Sequence, residues 1–307
     1  MSDSTALTRT DHAPAAHGGA RAALVRYQNP IPGRTWRSAA RFAVLVGGSA
    51  AIGVGVATGC LTVAAAALLA VTLATGQVLA QTWRQNKLGQ AVVGGISLGD
   101  LDSAQAAAER ALVESPAGVM RTLAASNLAS VLIQKDCVDE AAHMLDKYAP
   151  GILHMPLATV LWLNNRAFAH LASAAAPGEG AAIAAATATA LLDEAERRLA
   201  KASPRDLGGV HNANKLIAAV AGTRAIERVA HRDGKAALAS LDRACQVDDG
   251  QSTPYRLVER ELCRAEALRL VGRPDEATLA LEALTDTAMT SRQMKKRDAL
   301  AIRLGIA

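Results

Sequence analysis

The stretch that decides the fold is RAEALRLVGRPDEATLALEAL, Arg264 to Leu284. Ala265 and Leu268 sit three apart, as on one face of a helix, and Gly272 closes that helix. Beyond it Ala277, Leu281 and Leu284 recur at i, i+4 and i+7, which predicts a second amphipathic helix. Asp275 and Glu276 place acid where that helix begins, the end that the macrodipole makes positive. Such a hairpin cannot bury its apolar faces alone and needs stacked neighbours.

The same pattern recurs along the chain. Asp102-Ser103-Ala104, Asp139-Glu140-Ala141 and Asp193-Glu194-Ala195 match Asp275-Glu276-Ala277. Each alanine is followed at +4 and +7 by further small or apolar residues: Ala108 and Ala111, Leu145 and Tyr148, Leu199 and Ala202. A weaker copy has Gly234, Ala237, Leu241 and Ala244. An upstream helix is marked by Asn127-Leu128-Ala129 and Leu132 before Ala141, as by Ala265, Leu268 and Gly272 before Ala277. With Gly99, Ala104, Ala108, Ala111 and Pro116 as a further half-motif, residues 88 to 285 resemble the tetratricopeptide repeat family. The successive alanines are 37, 54, 42 and 40 residues apart, against roughly 34 in that family, so the repeats are degenerate. The longest step holds an Ala/Gly-rich insertion around Ser173 to Thr187. The resemblance implies an all-α α-solenoid over residues 84–290. Residues 291–307 read as a capping helix with Lys295, Lys296 and Arg297 facing solvent.

Composition agrees with a helical chain. Of 307 residues half are apolar, yet there are only 3 Trp, 3 Tyr and 2 Phe. That excludes a disordered chain and argues against a sandwich or barrel. The net charge is +5, but residues 1–41 hold six arginines against two aspartates, so the rest of the chain is nearly balanced. A nucleic-acid footprint over the body is therefore not expected. This first segment is rich in Ser, Thr, Ala, His and Gly and reads as a disordered basic tail.

From Phe42 to Trp83 there are 42 consecutive residues without Asp, Glu, Lys, Arg or His. As one helix they would be about 63 Å long, twice the hydrocarbon core, so two spans are predicted. A break at Thr58-Gly59-Cys60 gives a transmembrane hairpin over 42–83, with helices at 42–59 and 61–81. Arg34, Arg37 and Arg41 precede it and Arg84 and Lys87 follow. Both termini and the repeat domain are therefore expected on the cytoplasmic face. Trp36 and Trp83 bracket the hairpin at one interface. Gly47, Ala51, Gly55 and Gly59 form a ridge of small residues for close packing, against the second span or a second copy.

No catalytic signature stands out. Cys60, Cys137, Cys245 and Cys263 form no C-x-x-C pair and read as small thiols in a reducing compartment. The seven histidines make no H-E-x-x-H motif. The repeated Asp-Glu pairs read as turn and capping residues, since catalysis needs one such site and not several. Neither an enzyme nor a cofactor is expected. Asn127 and Asn165 occupy the same place in successive first helices, where the resembled family uses an Asn to hydrogen-bond the backbone of a bound peptide. An inter-repeat hydrogen bond serves equally well. Arg166, with Lys215 and Arg264, would make that surface basic.

Two functions follow as expectations. One is a membrane-anchored adaptor that recruits a protein or peptide partner through its concave helical surface. The alternative is a sensor-coupled effector in which the repeat body controls oligomerisation of the hairpin in the bilayer.

Overall fold

A computed structural model describes residues 63–115, 119–150, 156–173, 179–248 and 253–306. These residues hold eleven helices and no strand. The helices are α1 (Val63–Leu98), α2 (Leu101–Glu114), α3 (Val119–Gln134), α4 (Val138–Lys147), α5 (Pro156–Ser173) and α6 (Glu179–Lys201). They continue as α7 (Val210–Ala230), α8 (Gly234–Val247), α9 (Pro254–Leu270), α10 (Pro274–Glu282) and α11 (Ser291–Leu304). The chain is all-α and helical-repeat-like.

Four of the hairpin turns share one backbone device. Gly99, Asp136, Arg232 and Gly272 all have positive φ, at 75°, 65°, 61° and 76°. Each lies five residues before one of the repeated alanines. The next N–H donates back across the turn to Gly95, Leu132, Arg228 and Leu268 respectively, at 2.8 to 3.0 Å. That bond satisfies carbonyls that the ending helix would leave orphaned. Asp100 and Asp233 then cap the following helix, accepting from the backbone N–H of Ser103 and Ala236 at 3.0 Å each. The capping role therefore falls to these aspartates and not to the predicted Asp-Glu pairs. Asp139 and Glu140, like Asp275 and Glu276, lie inside the first turn.

The repeated alanines mark the core. Ala104, Ala141, Ala195, Ala237 and Ala277 are each 0% exposed. They are small because the partner helix passes close by: a Cβ on Gly95 would lie 2.9 Å from that of Ala104. At the start of α8 a Cβ on Gly234 would meet the Ala267 carbonyl oxygen at 2.6 Å. The third copy departs from expectation. Asp193-Glu194 sits deep inside α6, because the alanine-rich segment before it continues the helix back to Glu179.

Odd-numbered helices form one layer, α1 on α3, α3 on α5, α5 on α7 and α7 on α9. Each even helix packs against its own partner and against the next odd helix. The row also turns back on itself, since α1 touches α9. The C-terminal α11 reaches further back. Lys295 pairs with Asp136 at 2.8 Å, and the Arg292 guanidinium lies 5.0 Å over the Phe168 ring. A Thr290/Gln293 capping box starts this helix. Lys296 does not face solvent as expected but turns inward to the buried Glu259, at 2.8 Å.

The expected boundary at residue 83 falls within α1, which runs unbroken from Val63 to Leu98. Among the described residues no helix is long and apolar enough to cross a membrane. The first expected span, with Gly47, Ala51, Gly55 and Gly59, lies outside the described residues.

Candidate functional site

The odd-numbered helices line a half-open cavity of about 450 Å³. Its walls come from α1 (Val92, Val93, Ile96), α3, α5, α7 and α9, joined by Asp248 and Thr253 between α8 and α9. Apolar residues line it from α3 (Leu123, Ile133), α5 (Leu157, Leu161, Phe168) and α7 (Leu216, Ile226). The volume lies in the range of small-molecule sites, and a mostly apolar wall with a few polar groups is their usual make-up.

The polar residues divide by partner. Asn127 lines the cavity. Asn165 lines it too but, only 7% exposed, spends its amide inside the fold, donating to the Ser126 carbonyl at 3.0 Å and the Ser130 hydroxyl at 3.1 Å. Of the two readings of this residue, the inter-repeat bond is the one found. Arg166 points elsewhere: one residue on from Asn165 is a 100° turn round the helix, and its guanidinium pairs with Asp146 at 2.8 Å. It does not belong to the cavity wall. Arg264 likewise lies outside it, paired with Glu261 at 3.5 Å. Lys215, the other expected cation, does line the cavity.

The strongest charges in the wall come from the first half of α9. Arg260 pairs with Asp248, and Glu259 accepts from Lys296 at 2.8 Å and Arg292 at 3.4 Å. Burial works against the charge on Glu259, but these two cations outweigh it and hold its carboxyl below the usual range. Arg256 is different. Burial and the like charge of Arg260 lower its pKa, and the Asp248 carboxylate, which also pairs with Arg260, offsets part of that effect. Tyr255, also in the wall, has its phenol pushed up to about 12 by burial and the Glu259 charge.

Three wall residues also carry a side-chain oxygen buried without a hydrogen-bond partner: Gln134 Oε1, Asn164 Oδ1 and Glu259 Oε2. Buried acceptors are rarely left so, and each costs stability until something donates to it. Gln134, Asn164, Arg256, Glu259 and Arg260 were not singled out by sequence. The only signal for them is that they share the inner face of first helices.

Elsewhere the chemistry is quiet. Burial pushes the Cys263 thiol up to about 12, which keeps it an inert core residue. Cys137, Cys245 and Cys263 are free thiols, and Cys60 lies outside the described residues. Among the described residues no group of three His, Cys, Asp or Glu could hold a metal ion. Compared with protein-family models, curated proteins and solved structures, the chain matches none.

Proposed function

We propose that the chain is a non-enzymatic, membrane-linked sensor: a tetratricopeptide-like solenoid binds a ligand in its interior cavity and passes occupancy to a two-helix hairpin in the bilayer. The observation that carries this reading is the continuity of α1. One helix of 36 residues holds the second half of the uncharged run and also puts Val92, Val93 and Ile96 in the cavity wall. Nothing flexible intervenes, so a shift of the wall moves the segment that precedes it. The membrane part draws on the uncharged run from Phe42 to Trp83, and the arginines flanking it orient both termini and the body to the cytoplasm. The ridge Gly47, Ala51, Gly55 and Gly59 is the surface through which copies would associate.

The test is cross-linking of the full chain in native membrane vesicles, with and without the small-molecule fraction of a cell extract. The oligomer pattern should change on adding the fraction. That response should disappear in Ala219→Trp, which fills the cavity, in Asn86→Pro, which breaks α1 between bilayer and wall, and in Gly55→Leu. A pattern indifferent to the fraction would overturn the sensor reading.

A second reading, the membrane-anchored adaptor, is favoured by one observation: Asn127 and Lys215 present an amide and an ammonium in the same wall. It requires a partner protein to be captured by the full chain and lost on Asn127→Ala.

A further inference from the structure

Where the row of helices turns back on itself, α9 and α11 meet the first half of the chain along a seam, and the two sides of α11 are held very differently. On its own unit α11 is firmly seated. Leu300, 1% exposed, shares a buried cluster with Val258 and Leu262 of α9 and Leu281 of α10. Gln293 donates its amide to the Tyr255 carbonyl at 2.9 Å, and Lys296 reaches the buried Glu259. Across the seam, among the described residues, α11 makes two charged contacts: Lys295 with Asp136 on the turn between α3 and α4, and the Arg292 guanidinium over the Phe168 ring of α5. Both are made by long side chains, and that of Lys295 is 74% exposed. No buried apolar cluster among the described residues joins α11 to α3, α4 or α5. Helix α1 touches α9 along the same seam, again without a shared buried cluster. The charges of α11 also sit where its own helix disfavours them. Arg292, Lys295, Lys296 and Arg297 crowd its first two turns, with no acid in the first turn, at the end that the macrodipole makes positive. Cations placed there gain from what they reach outside the helix.

We propose that α11 is an electrostatic clasp: it stays on the last unit while its Lys295 and Arg292 contacts fasten and release the first half of the chain, so that the row exchanges between a closed and an open form. An exposed ion pair and a cation–π contact each bias closure by no more than about fivefold, which leaves the open form populated. Salt is the natural competitor, because exposed charges are screened once the Debye length falls to about 3 Å at 1 M. The cavity straddles the seam, with α1, α3 and α5 in one wall and α9 in the other, so its width follows the clasp. The device goes beyond the sensor reading and holds whether or not a ligand enters.

The test is pulsed electron spin resonance on the detergent-solubilised full chain, spin-labelled and diluted with unlabelled chain so that only distances within one chain are read. Cys60, Cys137 and Cys245 are replaced by serine, and the buried Cys263 is left in place. One label pair, His143→Cys on α4 and Ala299→Cys on α11, spans the seam; a second, Leu279→Cys on α10 with Ala299→Cys, lies within the last unit. All of these sites are exposed. Between about 0.05 M and about 1 M NaCl the seam pair should gain a longer distance whose share rises about twofold or more, while the second pair keeps one distribution. Asp136→Asn/Phe168→Leu leaves α11 untouched, and asparagine tolerates the left-handed backbone of Asp136. That variant should show the longer distance already at low salt and respond little to more. A seam distance that is the same at both salt levels and in the double variant would overturn the clasp. So would a salt response that the double variant keeps in full, since other contacts would then close the seam. Movement of the second pair together with the first would overturn it too, because α11 itself would then be leaving the last unit.

Discussion

Arg224→Met should be among the most damaging single changes in the body, and its cost can be worked out from the neighbours. The side chain is 6% exposed and bridges α6 and α7. Its Nη2 lies 2.5 Å from Asp193 Oδ1 and 3.0 Å from Glu196 Oε2, and Nη1 lies 3.5 Å from Glu227 Oε2. Asp193 is 65% exposed and Glu196 36%, so losing those pairs costs at most about 1 kcal/mol together. Glu227 is the large contribution, because its side chain is 0% exposed. Removing one partner of a buried pair typically costs about 3–5 kcal/mol. Glu227 keeps Thr189 at 2.6 Å, His231 at 3.2 Å and Arg228 at 3.4 Å, which places it at the low end. The expected total is about 3 kcal/mol, or roughly 6–12 °C in melting temperature for a body of this size. Urea unfolding followed by far-ultraviolet circular dichroism measures it. Adding Glu227→Gln to Arg224→Met should recover most of the loss, since the stranded charge is then gone. A loss under about 1 kcal/mol, or no recovery in the double variant, would show that Glu227 is not the charge that Arg224 balances.

Three further outcomes follow from the same contacts. Asn165→Ala removes the amide's bonds to the Ser126 carbonyl and the Ser130 hydroxyl and should cost about 1–2 kcal/mol in chemical denaturation, whereas Asn127→Ala, which changes only the cavity wall, should stay within about 0.5 kcal/mol. Gly234→Ala drives a Cβ into the Ala267 carbonyl and should cost about 1–3 kcal/mol; a neutral result would mean that α8 and α9 are not in close contact there. Glu259 has a lowered pKa, so its stabilisation is fully present above its unfolded value and is lost as pH falls through the folded one. Melting temperature should therefore drop steeply on acidification below about pH 4, and Glu259→Gln should flatten that part of the profile.

Sequence carried the register of this fold because burial depends on side-chain volume at fixed helical spacing. The alanines at 104, 141, 195, 237 and 277 could be read as core without coordinates. The turns were half legible. Gly99 and Gly272 announce a left-handed residue, but Asp136 and Arg232 adopt the same geometry without glycine, and no local rule flags an arginine there. The length of α6 was misread, because an alanine-rich stretch resembles an insertion in a repeat count yet is among the best helix formers. For the site, helical position identified the inner face and hence Asn127 and Lys215. It could not show that Asn165, in the same wall, spends its amide on the next helix, because that depends on how the two helices pack. The charges of α9 were illegible for another reason: partners more than thirty residues apart, such as Glu259 with Lys296, are set by how α11 folds back.

That fold-back bears on how a signal would travel. A ligand shifts an equilibrium only by its difference in affinity between two states, so the coupling must arise where ligand and moving element meet. Helices α7 and α9 both line the cavity and α9 also touches α1, so a ligand that shifts α9 against α7 changes the surface on which α1 rests. From Val92 back to Gln81 is about 16 Å of uninterrupted helix, too short and too well bonded to absorb the movement by bending. A ligand that fits the cavity equally well before and after that shift would bind without signalling, because it lacks the interaction that distinguishes the two states.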